Sequence, residues 1–239
     1  MTEKNQNTAA CLQYVRGQTR LPEPRAYTGL DLGQRRDHSA LARIDVTWTH
    51  IGQCAYSFAQ LFQPQAVITG LERFPLSTGY EKIFHFVMDH LAGVSASQEL
   101  IIDAGGPGPP LVDRFRAALY SRVAVTPVII TGGRGENSLH GGYTAIPRRT
   151  LISNLLLAIG AHTLKCNCGL PHWSNFENEL IELRGDTAEP GQSAGHDDLI
   201  IAVALGLSAA LRENALLRPA SGEKERKEPR FGYIDKPLF

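Results

Sequence analysis

Four aspartates stand among neighbours that are otherwise apolar or glycine: Asp31 in TGLDLGQ, Asp103 in LIIDAGGPG, and the adjacent Asp197 and Asp198 in HDDLIIAVALGLSAAL. A carboxylate set into apolar flanks needs a partner or a cation, because a bare buried charge is costly. Asp31 and Asp103 each close an apolar run and lead into glycine. Functional groups of α/β sheets collect at the carboxyl ends of strands, and glycine lets a phosphate or a metal-bound water approach closely. The plainer alternative for each is a turn aspartate before glycine. Asp197 and Asp198 open the last apolar segment. One aspartate there is an ordinary helix cap. Two side by side repel each other and point to a cation. Asp198 lies two residues beyond His196 and reads as the inner ligand, with Asp197 capping or supporting it, and both remain candidates. Carboxylates that converge from remote segments cannot all stay ionised uncompensated. Hard oxygen donors select Mg²⁺ or Mn²⁺, and two such ions about 3.5–4 Å apart clamp the attacking and leaving oxygens of a phosphodiester.

Positioning such acids requires a sheet with helices. Residues 1–24 are polar and broken by Pro22 and Pro24, which predicts a flexible arm. Residues 215–239 are charged and rich in Pro and Gly, which predicts a tail. Between them, 25–214 reads as one domain. AYTGLDLG, SALARIDVTW and GQCAYSFAQLF predict three consecutive antiparallel strands, the last two joined by a short loop at THIG. GYEKIFHFVMDHLAGV has helical apolar spacing, ELIIDAGGPG is a short buried strand, and PPLVDRFRAALY is a helix opened by prolines. VAVTPVIITGG is a strand, and the glycine-rich 131–147 is a long loop or a protruding hairpin. PRRTLISNLLLAIG (helix), HTLKCNC (strand) and WSNFENELIEL (helix) follow. RGDTAEPGQSAG is a loop, and 196–213 is the last long helix. This order predicts an α/β protein with a mixed central sheet flanked by helices, of the ribonuclease H-like kind. A P-loop is excluded, because the chain contains no Gly-Lys pair.

Composition narrows the partners. Lys and Arg number 24 against 24 Asp and Glu, for a formal charge of zero, which excludes a strongly cationic DNA coat but not local basic patches. Cys11, Cys54, Cys166 and Cys168 are scattered. The C-x-C of Cys166 and Cys168 lacks zinc-knuckle spacing, and all four read as reduced, semi-buried thiols of a cytoplasmic protein. No signal peptide and no run of bilayer length is expected.

The ordered pieces GLDLGQRRDHSAL, LIIDAGGPGPPLVD, VTPVIITGG, GGYTAIPRRTLISNL, HTLKC, FENELIEL and GHDDLIIAVALGL resemble the nuclease domain of the large terminase subunit of tailed bacteriophages, from about residue 27 to 213. The resemblance implies a ribonuclease H-like, resolvase-related fold and cleavage of double-stranded DNA with two divalent ions, Mg²⁺ or Mn²⁺. It implicates Asp31, Asp103 and one or both of Asp197 and Asp198 as ligands. Asp31 would bridge the ions, and Asp103 and Asp198 would each complete one shell. Large terminase subunits carry an ATPase domain ahead of the nuclease, and none is read here, so the chain is not expected to be a complete packaging motor by itself: it reads as a stand-alone nuclease-like protein, as one that works with a separate ATPase chain, or as a fragment. A separate terminase ATPase chain, the small terminase subunit or the portal are the partners implied, in the cytoplasm of a bacterial host, with the gene on a phage or prophage. Arg35, Arg36, Arg148 and Arg149 read as contacts for DNA phosphates or as solvated surface, and Arg134 and His140, in the glycine-rich segment, as DNA contacts of a hairpin over the site or as part of a plain glycine loop. Asp37 reads as a turn residue, with support of a metal-bound water as the alternative. Glu179 and Glu182 read as exposed, with an approach of one of them to the metals as the alternative, Trp48 and Trp173 as packing residues, and His196 as a water-orienting or helix-starting group. The rivals are a Holliday-junction resolvase-like nuclease and a catalytically silent packaging component. A sugar-kinase or actin-like ATPase shares GLDLG but lacks a later glycine-rich adenine site here.

Overall fold

The computed structural model describes residues 23–33, 37–53, 60–93, 96–106, 108–120, 122–133, 135–185 and 197–213. The expected arm, apart from Glu23 and Pro24, and the expected tail lie outside these residues, as do Arg35, Arg36, Arg134 and His196.

β1 (Arg25–Asp31) pairs antiparallel with β2 (Ala40–Gln53), and β2 with β3 (Gln60–Arg73). After α1 (Tyr80–Ala92), β4 (Ser97–Asp103) returns parallel to β1. After α2 (Gly108–Ala118), β5 (Ala124–Thr131) adds parallel to β4. β6 (Asn137–Ser138) and β7 (Thr144–Pro147) extend that edge, α3 (Arg148–Gly160) crosses back, and β8 (Leu164–Cys166) lines the opposite edge. α4 (Trp173–Gly185) and α5 (Asp198–Glu213) complete the chain. The sheet order is β6-β7-β5-β4-β1-β2-β3-β8. Three antiparallel strands followed by parallel ones on the far side of β1 is the ribonuclease H-like arrangement expected from the sequence.

Helices cover both faces. Leu30, Leu41, Leu100 and Ile102 meet α1 and α2 on one side. Tyr27, Ala42, Ile44, Ile68 and Ile101 meet α3, α4 and α5 on the other. β1 is buried throughout its interior, which is why it reads as an unbroken run instead of an alternation. α5 is buried from Asp198 to Leu211, as a helix that is apolar on all sides must be.

The closest approach lies between β1 and α5. A Cβ on Gly29 would fall 2.0 Å from the Ala202 carbonyl oxygen and 2.8 Å from the Gly206 nitrogen. A Cβ on Gly206 would lie 3.3 Å from the Tyr27 carbonyl oxygen. Backbone therefore rests on backbone at this point. The far end of the helix is tied as well: the Tyr27 hydroxyl donates to Glu213 at 2.7 Å, and Arg212 pairs with Glu99 at 3.2 Å.

Three expectations are corrected. THIG is not a loop: β2 runs through it, and β3 continues to Arg73, so Gln53 pairs with Gln60. Gly52, with φ 142°, marks a register shift in the ladder and not a turn. Within 131–147 there is a small hairpin, as expected, but its second arm β7 is also a parallel partner of β5. A four-residue strand running straight into a helix is too short for periodicity to reveal. Finally, β8 ends at Cys166, which is half-buried, and Cys168 is exposed beyond it. Trp173 packs as expected, 5.7 Å from the Phe176 ring, and Trp48 is half-buried on β2.

Gly29→Ala forces the helix off the strand. We expect a loss of about 1–3 kcal/mol or more, the usual cost of overpacking a core, read as a lowered urea midpoint.

Candidate active site

Asp31 is the last residue of β1, and Asp103 is the last residue of the adjacent parallel strand β4. Leu30 is paired with Ile102, so the two aspartates are the next pair in register, on strands about 4.8 Å apart. Alternation fixes the face. Tyr27 and Gly29 face α5, so Asp31 does too, and Asp103 follows Ile101 in the same way. Across β2 the row continues: Asp31 pairs with Ala40, and Ala40 with Arg73 of β3.

α5 delivers the third acid. Four residues from Ala202 back to Asp198 cover about 6 Å of helix. Two residues from Gly29 to Asp31 cover about 6.6 Å of strand. The glycine contact thus brings Asp198 level with Asp31. Asp198 is 6% exposed, and its Oδ2 accepts from Arg73 Nη2 at 3.3 Å. Asp197 is half-buried and pairs with Arg148, the first residue of α3.

The electrostatics record the convergence. Burial pushes the Asp31 carboxyl well above its ordinary value, and the charges of Asp103, Asp198, Asp37 and Glu179 push it further. Burial also raises Asp103, against the backbone N–H groups of Gly105 and Ile130 that its carboxylate accepts. The Gly105 bond is 2.9 Å. Burial lowers Arg148, and the Asp31 charge partly restores it.

The loop after β1 is braced: the Gly33 N–H donates to Ser39 Oγ at 3.1 Å, and Tyr80 donates its hydroxyl to the Gly33 carbonyl at 3.0 Å. Asp37 is exposed in this connection, and its charge reaches Asp31. Arg149 is exposed beside Arg148. His140 is exposed in the hairpin, which is tied to α2 by Arg116 donating to the Gly141 carbonyl at 3.1 Å.

Glu179 differs from expectation. It is 6% exposed and lies against the start of α5, where its Oε2 accepts the Ile200 N–H at 3.1 Å. Burial drives its carboxyl up to about 7. Its place on α4 beside the exposed Ile181 and Glu182 hid it, because only the docking of α4 on α5 buries it. Arg73 was not singled out from the sequence either. It sits thirty or more residues from Asp31, Asp103 and the 197–198 pair and joins them only through strand pairing.

The donor set is carboxylate oxygen throughout, and burial together with the neighbouring acids raises Asp31. That chemistry fits a hard divalent ion. As the side chains stand, no three His, Cys, Asp or Glu residues among those described are grouped to hold a metal, and Asp197 and Asp198 are turned to their arginines.

The unfolded chain ionises Asp31 near its ordinary value of 3.8, while the folded protein keeps its proton to higher pH. The folded state then binds more protons across that window, so stability falls as pH rises through it. In chelating buffer we expect Asp31→Asn to exceed the wild type in urea stability at pH 7. The difference should close as pH is lowered towards 4.

No family profile matches the chain, and no curated protein matches it in sequence. Among solved structures the chain is similar to the human cytomegalovirus terminase nuclease domain, Mn-soaked and inhibitor-bound. Identity is 14% and the TM-score 0.48, over 80% of this chain and 84% of that one. It is also similar to the Fowlpox virus resolvase in complex with its substrate Holliday junction DNA. There the identity is 14% and the TM-score 0.35, over 76% and 96% of the two chains. Neither likeness assigns a role to any residue here. Among the described residues, no helix is long and apolar enough to cross a membrane.

Proposed function

We propose that this chain is a divalent-metal-dependent endodeoxyribonuclease of the terminase type. It would cut double-stranded DNA during packaging of a phage or prophage genome in the bacterial cytoplasm. Residues 25–214 would form the nuclease domain, working with a separate terminase ATPase chain, the small subunit or the portal. One observation carries the reading: Asp31, Asp103 and Asp198, from three remote segments, meet at one end of the sheet, where burial and then the charges of Asp103 and Asp198 raise the Asp31 carboxyl.

Asp31, Asp103 and Asp198 are the residues that would hold two divalent ions, Mg²⁺ or Mn²⁺, with Asp31 as the shared ligand and Asp103 and Asp198 each completing one shell. When bound, such ions supply Lewis acidity and charge neutralisation at the scissile phosphate. Arg148, in the field of Asp31, and Arg149 beside it would meet the DNA backbone. Arg35, Arg36 and Arg134 are proposed for the same role. Asp103 is oriented by the N–H groups of Gly105 and Ile130, so its carboxylate is fixed before any ligand arrives. Asp197 is the outer of the adjacent pair, because Arg148 engages it and it is absent from the charges acting on Asp31.

A second reading, a catalytically silent packaging component, is favoured by the arginine pairing of Asp197 and Asp198. Incubation with supercoiled plasmid and Mn²⁺ separates the two: nicking and linearisation that chelator abolishes supports the nuclease, and an inert plasmid supports the silent component. Asp31→Asn, Asp103→Asn and Asp198→Asn should each reduce cleavage by about 100-fold or more, since losing a ligand worth several kcal/mol costs tenfold per 1.4 kcal/mol. Asp197→Asn should cost less than Asp198→Asn. A panel of linear, nicked and four-way DNA reports whether a junction is preferred, which would favour a resolvase-like nuclease.

A further inference from the structure

The acids of the row are held by partners of different charge. Asp103 accepts from neutral donors, the N–H groups of Gly105 and Ile130. Asp198 meets a full positive charge, with Arg73 Nη2 at 3.3 Å from its Oδ2. Arg73 ends β3 on the face that carries α5, because it pairs with Ala40, which packs on that side. Its charge reaches a second acid. Burial raises the Glu179 carboxyl to about 7, against the Ile200 N–H and the Arg73 charge, which lower it. One arginine from β3 thus faces acids from both α4 and α5.

Stability does not account for this arginine. Its side chain is 15% exposed, and its Nε is buried with no hydrogen-bond partner among the described residues. Taking a guanidinium out of water is costly, and an apolar side chain of similar volume often serves a fold as well or better. What an apolar side chain cannot do is neutralise Asp198 while no other cation is there. The same charge opposes a divalent ion at Asp198, by repulsion and by engaging an oxygen that such an ion would take. The N–H groups on Asp103 bring no full charge of this kind.

We propose that Arg73 is the resident counter-ion at the Asp198 end of the row and makes the two ion positions unequal: an ion taken by Asp31 and Asp103 is held tightly, and one taken by Asp31 and Asp198 only weakly while Arg73 is in place. Arg73 acts through Asp198 and is a positioning residue. This rests on the reading of Asp31, Asp103 and Asp198 as ion-binding residues.

The test is Mn²⁺ binding to the full chain by calorimetry, with thermal unfolding in Mn²⁺ and in chelator. Wild type and Arg73→Lys should each show one tight and one weak Mn²⁺ site. In Arg73→Met the weak site should tighten by about 10-fold or more, since a unit charge a few ångströms from a divalent ion is only partly screened at a buried site. In chelator Arg73→Met should melt below the wild type, and Mn²⁺ should close that gap. Asp198→Asn added to Arg73→Met should recover part of the loss, because it removes the charge left unpaired. A purely structural arginine would leave a gap that Mn²⁺ does not close. Should Arg73→Met not fold, Arg73→Gln, neutral and polar, carries the same expectations. Two equal sites in the wild type, unchanged or weaker binding in the neutral variant, or a gap that Mn²⁺ leaves open overturns the proposal. So does tightening in Arg73→Lys equal to that in the neutral variant, which would make shape and not charge the cause. Asp31→Asn is the control: if it binds Mn²⁺ like the wild type, the ion-site reading fails, while the chelator measurements still report whether Arg73 balances Asp198.

Discussion

Everything at the acidic end of this molecule depends on α5 lying against β1 without intervening side chains. Gly29 and Gly206 make that possible, and any Cβ at Gly29 would collide with the helix backbone. At ordinary helix-to-sheet separation the start of α5 would stand further from the strand ends. With backbone on backbone, one helical turn and two strand residues cover almost the same distance, and Asp198 arrives opposite Asp31. The contact converts a glycine, which weakens a strand by itself, into the element that sets the geometry.

The helix is then held at both ends by charge of opposite kinds. At its carboxyl end Glu213 takes the Tyr27 hydroxyl and an Arg25 ion pair at 2.6 Å, while Arg212 reaches Glu99, itself bonded by Thr126 at 2.6 Å. At its amino end Glu179 takes the backbone and two arginines take the aspartates. Tethering both ends resists sliding of α5 along β1, a motion that would carry Asp198 out of the row.

A chain with no net charge thus keeps a local excess of negative charge. Asp31, Asp103, Asp198 and Glu179 gather where the described cations are Arg73 and Arg148. Burial is the first cause of the raised carboxyls of Asp31 and Glu179, and their acidic neighbours raise them further. A divalent cation would relieve the same repulsion.

The sequence by itself determined the strand and helix order, because apolar runs and periodicities are local, and it marked Asp31, Asp103 and the 197–198 pair, because an acid among apolar residues stands out at once. It ranked Asp198 ahead of Asp197 but left both as candidates, because their difference is which neighbour each side chain meets. It misread Gly52, since a bulge and a turn use the same residue, and it missed β7, which four residues cannot announce. Glu179 and Arg73 were decided by tertiary structure alone. Nothing in WSNFENELIEL or ITGLERF distinguishes them from surface charges. Their burial comes from the packing of α4 on α5 and the pairing of β3 with β2, which depend on partners more than twenty residues away. Local pattern fixes what a segment is, and long-range packing fixes what its polar groups face.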